Sequence, residues 1–227
     1  MSSLERALAR AVSVEDLRRM ARRRLPRLVF EFIDGGAEDE LTLADNRAAF
    51  ERRRLVPRVL VDVSAPDPSA AILGRASALP FVIAPMGSCT LAWPGADLAL
   101  ARAAAAHGIP FALSTMATIG IEQLAEAVPG RLWFQLYVLR NPDANARLVA
   151  RAEAAGYEAL VVTVDLPAGG KRERDLRNGI TIPLRLSGRH LLEGATHPGG
   201  RWACFAAGCR SSASSAARRW RKPGPCG

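Results

Sequence analysis

An α/β fold built on parallel strands is what this 227-residue sequence predicts, and two observations predict it. Short runs of Val, Ile, Phe and Leu begin at Phe81, Phe111, Leu132 and Ala159, in "FVIAP", "FALST", "LWFQLYV" and "ALVVTVD". Helical patterns separate them: "GADLALARAAAAHG", "IGIEQLAEAV" and "PDANARLVARAEAAG". Strands alternating with helices at such intervals indicate βαβ units and a parallel sheet.

In "SVEDLRRMARRRL", Ser13 and Asp16 stand three apart as in a capping box, ahead of Leu17, Met20 and Ala21 at helical spacing. Pro26 is suited to open a second, short helix, which Gly35 and Gly36 end. The basic run from Arg18 to Arg27 reads as the wet face of an amphipathic helix. After the first strand run, the last helical pattern opens at Asn141-Pro142 and closes at Gly156. The strand runs end in polar residues: Ser114 and Thr115, Gln135 and Tyr137, Thr163 and Asp165. In a (β/α) barrel the C-terminal strand ends form the active-site face, so these are the residues to examine for chemistry. Four units are half the number that a barrel needs, and four parallel strands cannot close on themselves. The prediction is therefore a partial TIM (β/α) barrel, about four parallel β/α units after an N-terminal helical segment.

Composition limits the function classes. Net charge is +9, but the last 27 residues hold five Arg and one Lys with no acid, leaving 25 basic against 22 acidic residues in 1–200. The basicity belongs mostly to the end of the chain, which also holds Cys204, Cys209 and Cys226. Their spacing, with no nearby His, suits neither zinc nor a disulfide framework, so no metal is expected. "MSSLERALARAV" has no apolar core of a secretion signal, and the longest uncharged run, 76–96, contains three prolines. The expected location by default is cytoplasmic.

Five ordered stretches resemble one family. "LPRLVFEFIDGGAEDELTLADNRAAFERRRLVPRVLVDVS", "LPFVIAPMG", "GIPFALSTMAT", "LWFQLYV" and "VTVDLPAGGKRERDLRNG" are similar, in that order, to the N-terminal half of the FMN-dependent α-hydroxy acid dehydrogenases and oxidases. These include mandelate dehydrogenase, lactate dehydrogenase and glycolate oxidase types. The resemblance covers roughly residues 13–202. It implies FMN as cofactor, with Pro85, Met86, Gly87, Ser114, Gln135 and Thr163 lining the flavin ring. It implies that Tyr137 reaches the substrate oxygen, that Arg172 holds the substrate carboxylate through a forked contact, and that Asp165 steadies a cationic catalytic histidine. Each of these residues also has a plain structural role open to it; their joint occurrence on successive strand tips is what points to a site. The implied reaction converts a mandelate- or lactate-like (S)-2-hydroxy acid to the 2-keto acid, with a quinone, a cytochrome or oxygen as electron acceptor. Family members are often homotetramers.

Two departures qualify the resemblance. Phe32 stands where the family usually has a tyrosine, removing a hydroxyl from the carboxylate site. The familiar His-Pro-Trp pattern after the fourth strand appears as "THPGGRWA", and there the resemblance ends. The family's second half, with its lysine, catalytic histidine, second arginine and phosphate loops, has no counterpart, and His107, His190 and His197 are not assigned as the base. The expectation is a barrel half at 1–202 and an aberrant, disordered basic tail at 203–227, from truncation or a frameshift, in a chain that is itself inactive. The alternative is a non-catalytic basic module for nucleic acid or anionic lipid; no nucleic-acid partner is expected on the first reading.

Overall fold

The computed structural model describes residues 3–165, 169–180 and 188. The expected tail at 203–227, the boundary at 202, and His190 and His197 lie outside the described residues. The chain divides into two compact units, one of Met1–Gly35 with Arg172–Gly227 and one of Gly36–Lys171.

In the first unit, α1 (Ser3–Leu8), α2 (Val14–Arg24) and α3 (Arg27–Asp34) are followed much later by the short α8 (Glu173–Arg177). The capping box forms as the sequence predicts. The Ser13 hydroxyl accepts from the Asp16 N–H at 3.2 Å, and the Asp16 carboxylate accepts from the Ser13 N–H at 3.1 Å. Pro26 caps α3 and Gly35 ends it. α3 buries Leu28, Val29 and Phe30 and packs against α2 and α8. The basic run is a paired helix face: Arg18 bonds both Asp34 oxygens at 2.5 and 2.9 Å, Arg19 pairs with Asp16, and Arg27 pairs with Glu31.

The second unit holds α4 (Leu41–Glu51), β1 (Ala70–Ile72), β2 (Arg75–Ser77), α5 (Ala96–Ala106), β3 (Phe111–Ser114), α6 (Ile121–Ala127), β4 (Leu132–Tyr137), α7 (Pro142–Ala154) and β5 (Ala159–Thr163). β3, β4 and β5 form a parallel sheet in that order. The run at Phe81, expected as a full strand, is reduced to one residue: Ile83 bridges Phe111 in parallel, donating to Pro110 O and accepting from the Ala112 N–H, both at 3.0 Å. Pro80 and Pro85 bracket that run and have no N–H for a ladder, which limits how far it can pair. The parallel β/α order is that of a partial barrel, and the sheet is not closed. An antiparallel hairpin, β1 with β2, lies apart from this sheet. Its turn, Leu73-Gly74, has φ of 51° and 73°, the double left-handed turn that suits a two-residue hairpin.

Alternation along the strands separates two faces. Phe111 and Leu113 of β3, with Leu132, Phe134 and Leu136 of β4, meet Ala101 and Ala104 of α5, Ile121 and Leu124 of α6, and Ala152 of α7 in one buried cluster. Alanines at those helix positions let the backbone come close to the sheet. The opposite face carries Ala112 and Ser114, Trp133, Gln135 and Tyr137, and Ala159, Val161 and Thr163, aligned across the strands by the parallel register. That register sets Ser114 beside Gln135 and Tyr137 beside Thr163 at the C-terminal ends.

Candidate functional site

The expected ring-edge residues of the second unit meet at this rim. Ser114 and Gln135 are buried, at 6% and 3% exposure. The Ser114 hydroxyl donates to Gln135 Oε1 at 3.0 Å, and the Thr115 N–H donates to the same oxygen at 3.1 Å. A backbone N–H can only donate, so this contact fixes which amide atom is oxygen. Gln135 Nε2 then donates to Thr163 Oγ1 at 2.8 Å. Thr115 Oγ1 donates to Gln135 O at 2.5 Å and accepts from the Tyr137 N–H at 3.1 Å. Three successive strands are thus tied side chain to side chain at their tips.

The donor inventory shows what this arrangement can still do. One Nε2 hydrogen of Gln135 and the Thr163 hydroxyl proton have no acceptor among the described residues. Both are donors at a polar, part-buried rim, the chemistry that the carbonyl oxygens on the pyrimidine edge of a flavin require. Backbone also comes close beside it. At Gly87 an added Cβ would lie 2.8 Å from Met116 Cβ and 3.7 Å from Ser114 Oγ, so the Pro85–Gly87 turn approaches the end of β3 as only glycine allows. The residues fit the flavin ring.

Tyr137 and Asp165 stand further out. Tyr137 closes β4, is 36% exposed, and its hydroxyl has no partner among the described residues. Asp165 follows β5 and is exposed. His107 caps the C-terminus of α5, at the opposite end of the strands from this rim. Burial pushes the Cys89 thiol upward, and Asp97 nearby adds to the shift, so this thiol is not a thiolate nucleophile.

Phe32 and Arg172 belong to the first unit, where they form their own cluster. The Arg172 guanidinium carbon lies 5.2 Å from the centre of the Phe32 ring. Its Nη2 donates to the Phe32 and Gly35 carbonyls, the latter at 3.2 Å. Its Nε lies 2.8 Å from Asp175 Oδ2, an ion contact without hydrogen-bond alignment, and Nε and Asp175 Oδ1 are both buried without a hydrogen-bond partner. Burial holds the Asp175 carboxyl above its ordinary value despite the neighbouring arginine. The resemblance implies a fork presented to a substrate. In the structure Nη2 is bonded to backbone carbonyls and Nε faces Asp175, so Nη1 is the end left to meet an anion. The Phe32 ring, which lacks the tyrosine hydroxyl, is a cation–π seat for that arginine.

Sequence reasoning did not single out Asp97, Thr90, Thr118 or Met116. Asp97 reads as one more first-turn acid of α5, and no spacing links it to Thr118, 21 residues away.

Among known proteins, the FMN-dependent dehydrogenase family matches residues 21–223. The (S)-mandelate dehydrogenase of Pseudomonas putida is 45% identical over 190 residues, 84% of this chain and 48% of that protein. Glycolate oxidase 1 of Oryza sativa subsp. indica is 41% identical over 175 residues, 77% of this chain and 47% of that protein. The crystal structure of a monotopic membrane protein, (S)-mandelate dehydrogenase, superposes with a TM-score of 0.80 at 44% identity, covering 86% of this chain and 51% of that one. The chain spans about half the length of the curated relatives it matches. With a parallel β/α sheet whose strand tips suit a flavin ring and a family match over most of its length, the chain belongs to the FMN-dependent dehydrogenases.

Proposed function

We propose that this chain carries the flavin-ring edge and substrate-orienting residues of an enzyme oxidising a mandelate- or lactate-like (S)-2-hydroxy acid to the 2-keto acid. The observation that carries this reading is the Ser114–Gln135–Thr163 array with its two unused donors. FMN, when bound, takes the two electrons that leave the substrate. The chain's own residues bind and orient: Gln135, Thr163 and the Pro85–Gly87 backbone face the ring, and the Tyr137 hydroxyl meets the substrate oxygen. Arg172 offers Nη1 to the substrate carboxylate, and Asp165 steadies the cationic form of a histidine base. The described residues bring no histidine to the rim, and general base catalysis is worth about 10² to 10⁴ in rate. The described residues therefore bind and orient without themselves taking the α-proton, and weak FMN binding without turnover is the behaviour this reading expects of the 227-residue chain. The electron acceptor in this reading is a quinone, a cytochrome or oxygen. No helix among the described residues is long and apolar enough to cross a membrane, and a peripheral membrane location is part of the proposal.

The test is a fluorescence titration of the chain with FMN, followed by assays with mandelate, lactate and glycolate and a dye acceptor. Weak, saturable quenching without turnover is expected. Supplying the second half of the barrel from (S)-mandelate dehydrogenase should restore turnover, and in that assembly Arg172→Lys should lower kcat/KM more than Phe32→Tyr, because the first loses planar donors while the second gains one. Absence of any FMN binding, or turnover by the 227-residue chain alone, would overturn this reading.

A further inference from the structure

Resting on that reading for its functional meaning, we propose that Thr90, Thr118 and Asp97 form a directed hydrogen-bond chain that positions the Pro85–Gly87 turn beside the flavin ring. Asp97 lies on the first turn of α5 and is only 3% exposed. Its Oδ2 accepts from the Thr118 N–H at 3.2 Å and from the Thr118 hydroxyl at 2.7 Å. A carboxylate can only accept, so the one Thr118 hydroxyl proton points to Asp97. In the close contact between Thr118 Oγ1 and Thr90 Oγ1, Thr90 must then be the donor. The carboxylate thereby sets the direction of the whole chain, from Thr90 through Thr118 to Asp97.

Thr90 sits in the short 3-10 turn Cys89–Leu91, directly after the Pro85–Gly87 turn. Ser88, which joins the two, has φ of 57°, a left-handed conformation that a serine holds only when its surroundings impose it. Two further contacts impose it: the Ser88 N–H donates to Met116 O at 3.0 Å, and Cys89 Sγ lies 3.5 Å from Met86 O. The loop after Ile83 and the loop after β3 are thus held together, with Gly87 against Met116 at the point of closest approach. Asp97 has hydroxyl and amide donors but no arginine or lysine partner among the described residues. A buried carboxylate without a counter-ion is a costly device for stability alone. It is accounted for as a fixed acceptor holding the loop that faces the ring.

The experiment measures hydrogen exchange across the 227-residue chain for wild type, Thr118→Val and Thr118→Ser, with FMN titrations alongside. Thr118→Val removes the hydroxyl at nearly constant shape, and exchange in residues 85–93 should rise roughly tenfold while β4 keeps its protection. FMN affinity should fall by roughly tenfold, the size of one lost hydrogen bond. Thr118→Ser should restore both. Unchanged exchange at 85–93, equal acceleration throughout β3 to β5, or unchanged FMN affinity with a loosened loop each overturns the proposal. If Thr118→Val does not fold, Thr90→Val removes the donor from the half-buried end of the chain and is read in the same way. If wild type binds no FMN, the functional reading falls, and the exchange pattern still decides whether the clamp exists.

Discussion

The two ends of β4 handle polar groups in opposite ways. At the N-terminal end, Arg131 Nε donates to both Glu158 oxygens at 3.1 and 3.0 Å, Nη1 donates to Ala76 O at 3.1 Å, and Nη2 donates to Ile72 O at 2.9 Å. Glu158 also accepts from Trp133 Nε1 at 3.3 Å and pairs with Arg75 at 2.9 Å. Burial pushes the Glu158 carboxyl upward, but the bonds from Arg131 and Trp133 outweigh it and hold the group below its ordinary value. At the C-terminal end, Gln135 and Thr163 keep donors that nothing described accepts. A saturated cluster ties the β1–β2 hairpin to the sheet and can do nothing else. An incompletely satisfied one is rigid through its internal bonds and still able to bind. In β/α barrels the first end is where stability is built and the second is where chemistry occurs.

The largest effect should come from breaking the saturated end. Arg131 and Glu158 side chains are only 13% and 11% exposed, and Arg131→Ala leaves the carboxylate buried without its main partner and strips carbonyls of β1 and β2 of their donor. Losing one member of a buried pair costs about 3–5 kcal/mol. Urea unfolding should show that loss, with FMN affinity of the remaining folded protein unchanged. A cost below about 1 kcal/mol would mean that the hairpin is held by other contacts.

The converse variant acts at the other end. Gln135→Met preserves length and volume but removes the acceptor for Ser114 and Thr115 and the donor to Thr163. Leaving these groups unsatisfied costs about 1–3 kcal/mol. FMN affinity should drop by more than about tenfold, since a ring-edge donor disappears along with the geometry of its neighbours. The two variants should separate: Arg131→Ala should move the urea midpoint more, and Gln135→Met the FMN affinity. If each moved both quantities alike, the division between the two ends would fail.

How much of this was legible in the sequence depends on the range of the signal. Ser13, Pro26 and Asn141 announce their helices because start signals are local: Ser13 and Asn141 cap with their side chains, and Pro26 opens α3. Ser114, Gln135 and Thr163 were legible because strand ends follow from runs of apolar residues, and parallel register does the rest. The run at Phe81 had the right composition, but its flanking prolines left it as a bridge. Leu73-Gly74 escaped notice because leucine is a poor marker of a left-handed turn. Arg131 is a lone charge before a strand, and nothing nearby indicates that it reaches three carbonyls more than fifty residues earlier. The partners of Asp97 and Arg172 were opaque for the same reason: they are set by tertiary packing, and a sequence pattern holds only the local half of such an interaction.

The smallest effect belongs to a site outside both ends, and it serves as their control. On the helix layer, Arg151 of α7 bonds Glu122 of α6 through Nε and Nη2 at 2.7 and 2.8 Å. The Arg151 guanidinium holds the Glu122 carboxyl down at about 2, against an ordinary value of 4.5. A carboxyl depressed by folding contributes stability above its ordinary value and loses it as pH falls, so this contribution should fade between about pH 4.5 and pH 2. Both side chains are about half exposed, and solvent screening reduces the pair to less than about 1 kcal/mol despite its forked geometry. Glu122→Gln should therefore lower stability slightly at pH 7, match wild type near pH 2, and lose most of its effect in about 1 M salt, where the screening length is about 3 Å. FMN affinity should not change. A deficit that persisted undiminished at pH 2 would show that Glu122 works through packing between α6 and α7, and the acid limb of the unfolding curve would then have to be assigned to the buried Glu158 at the saturated end of the sheet.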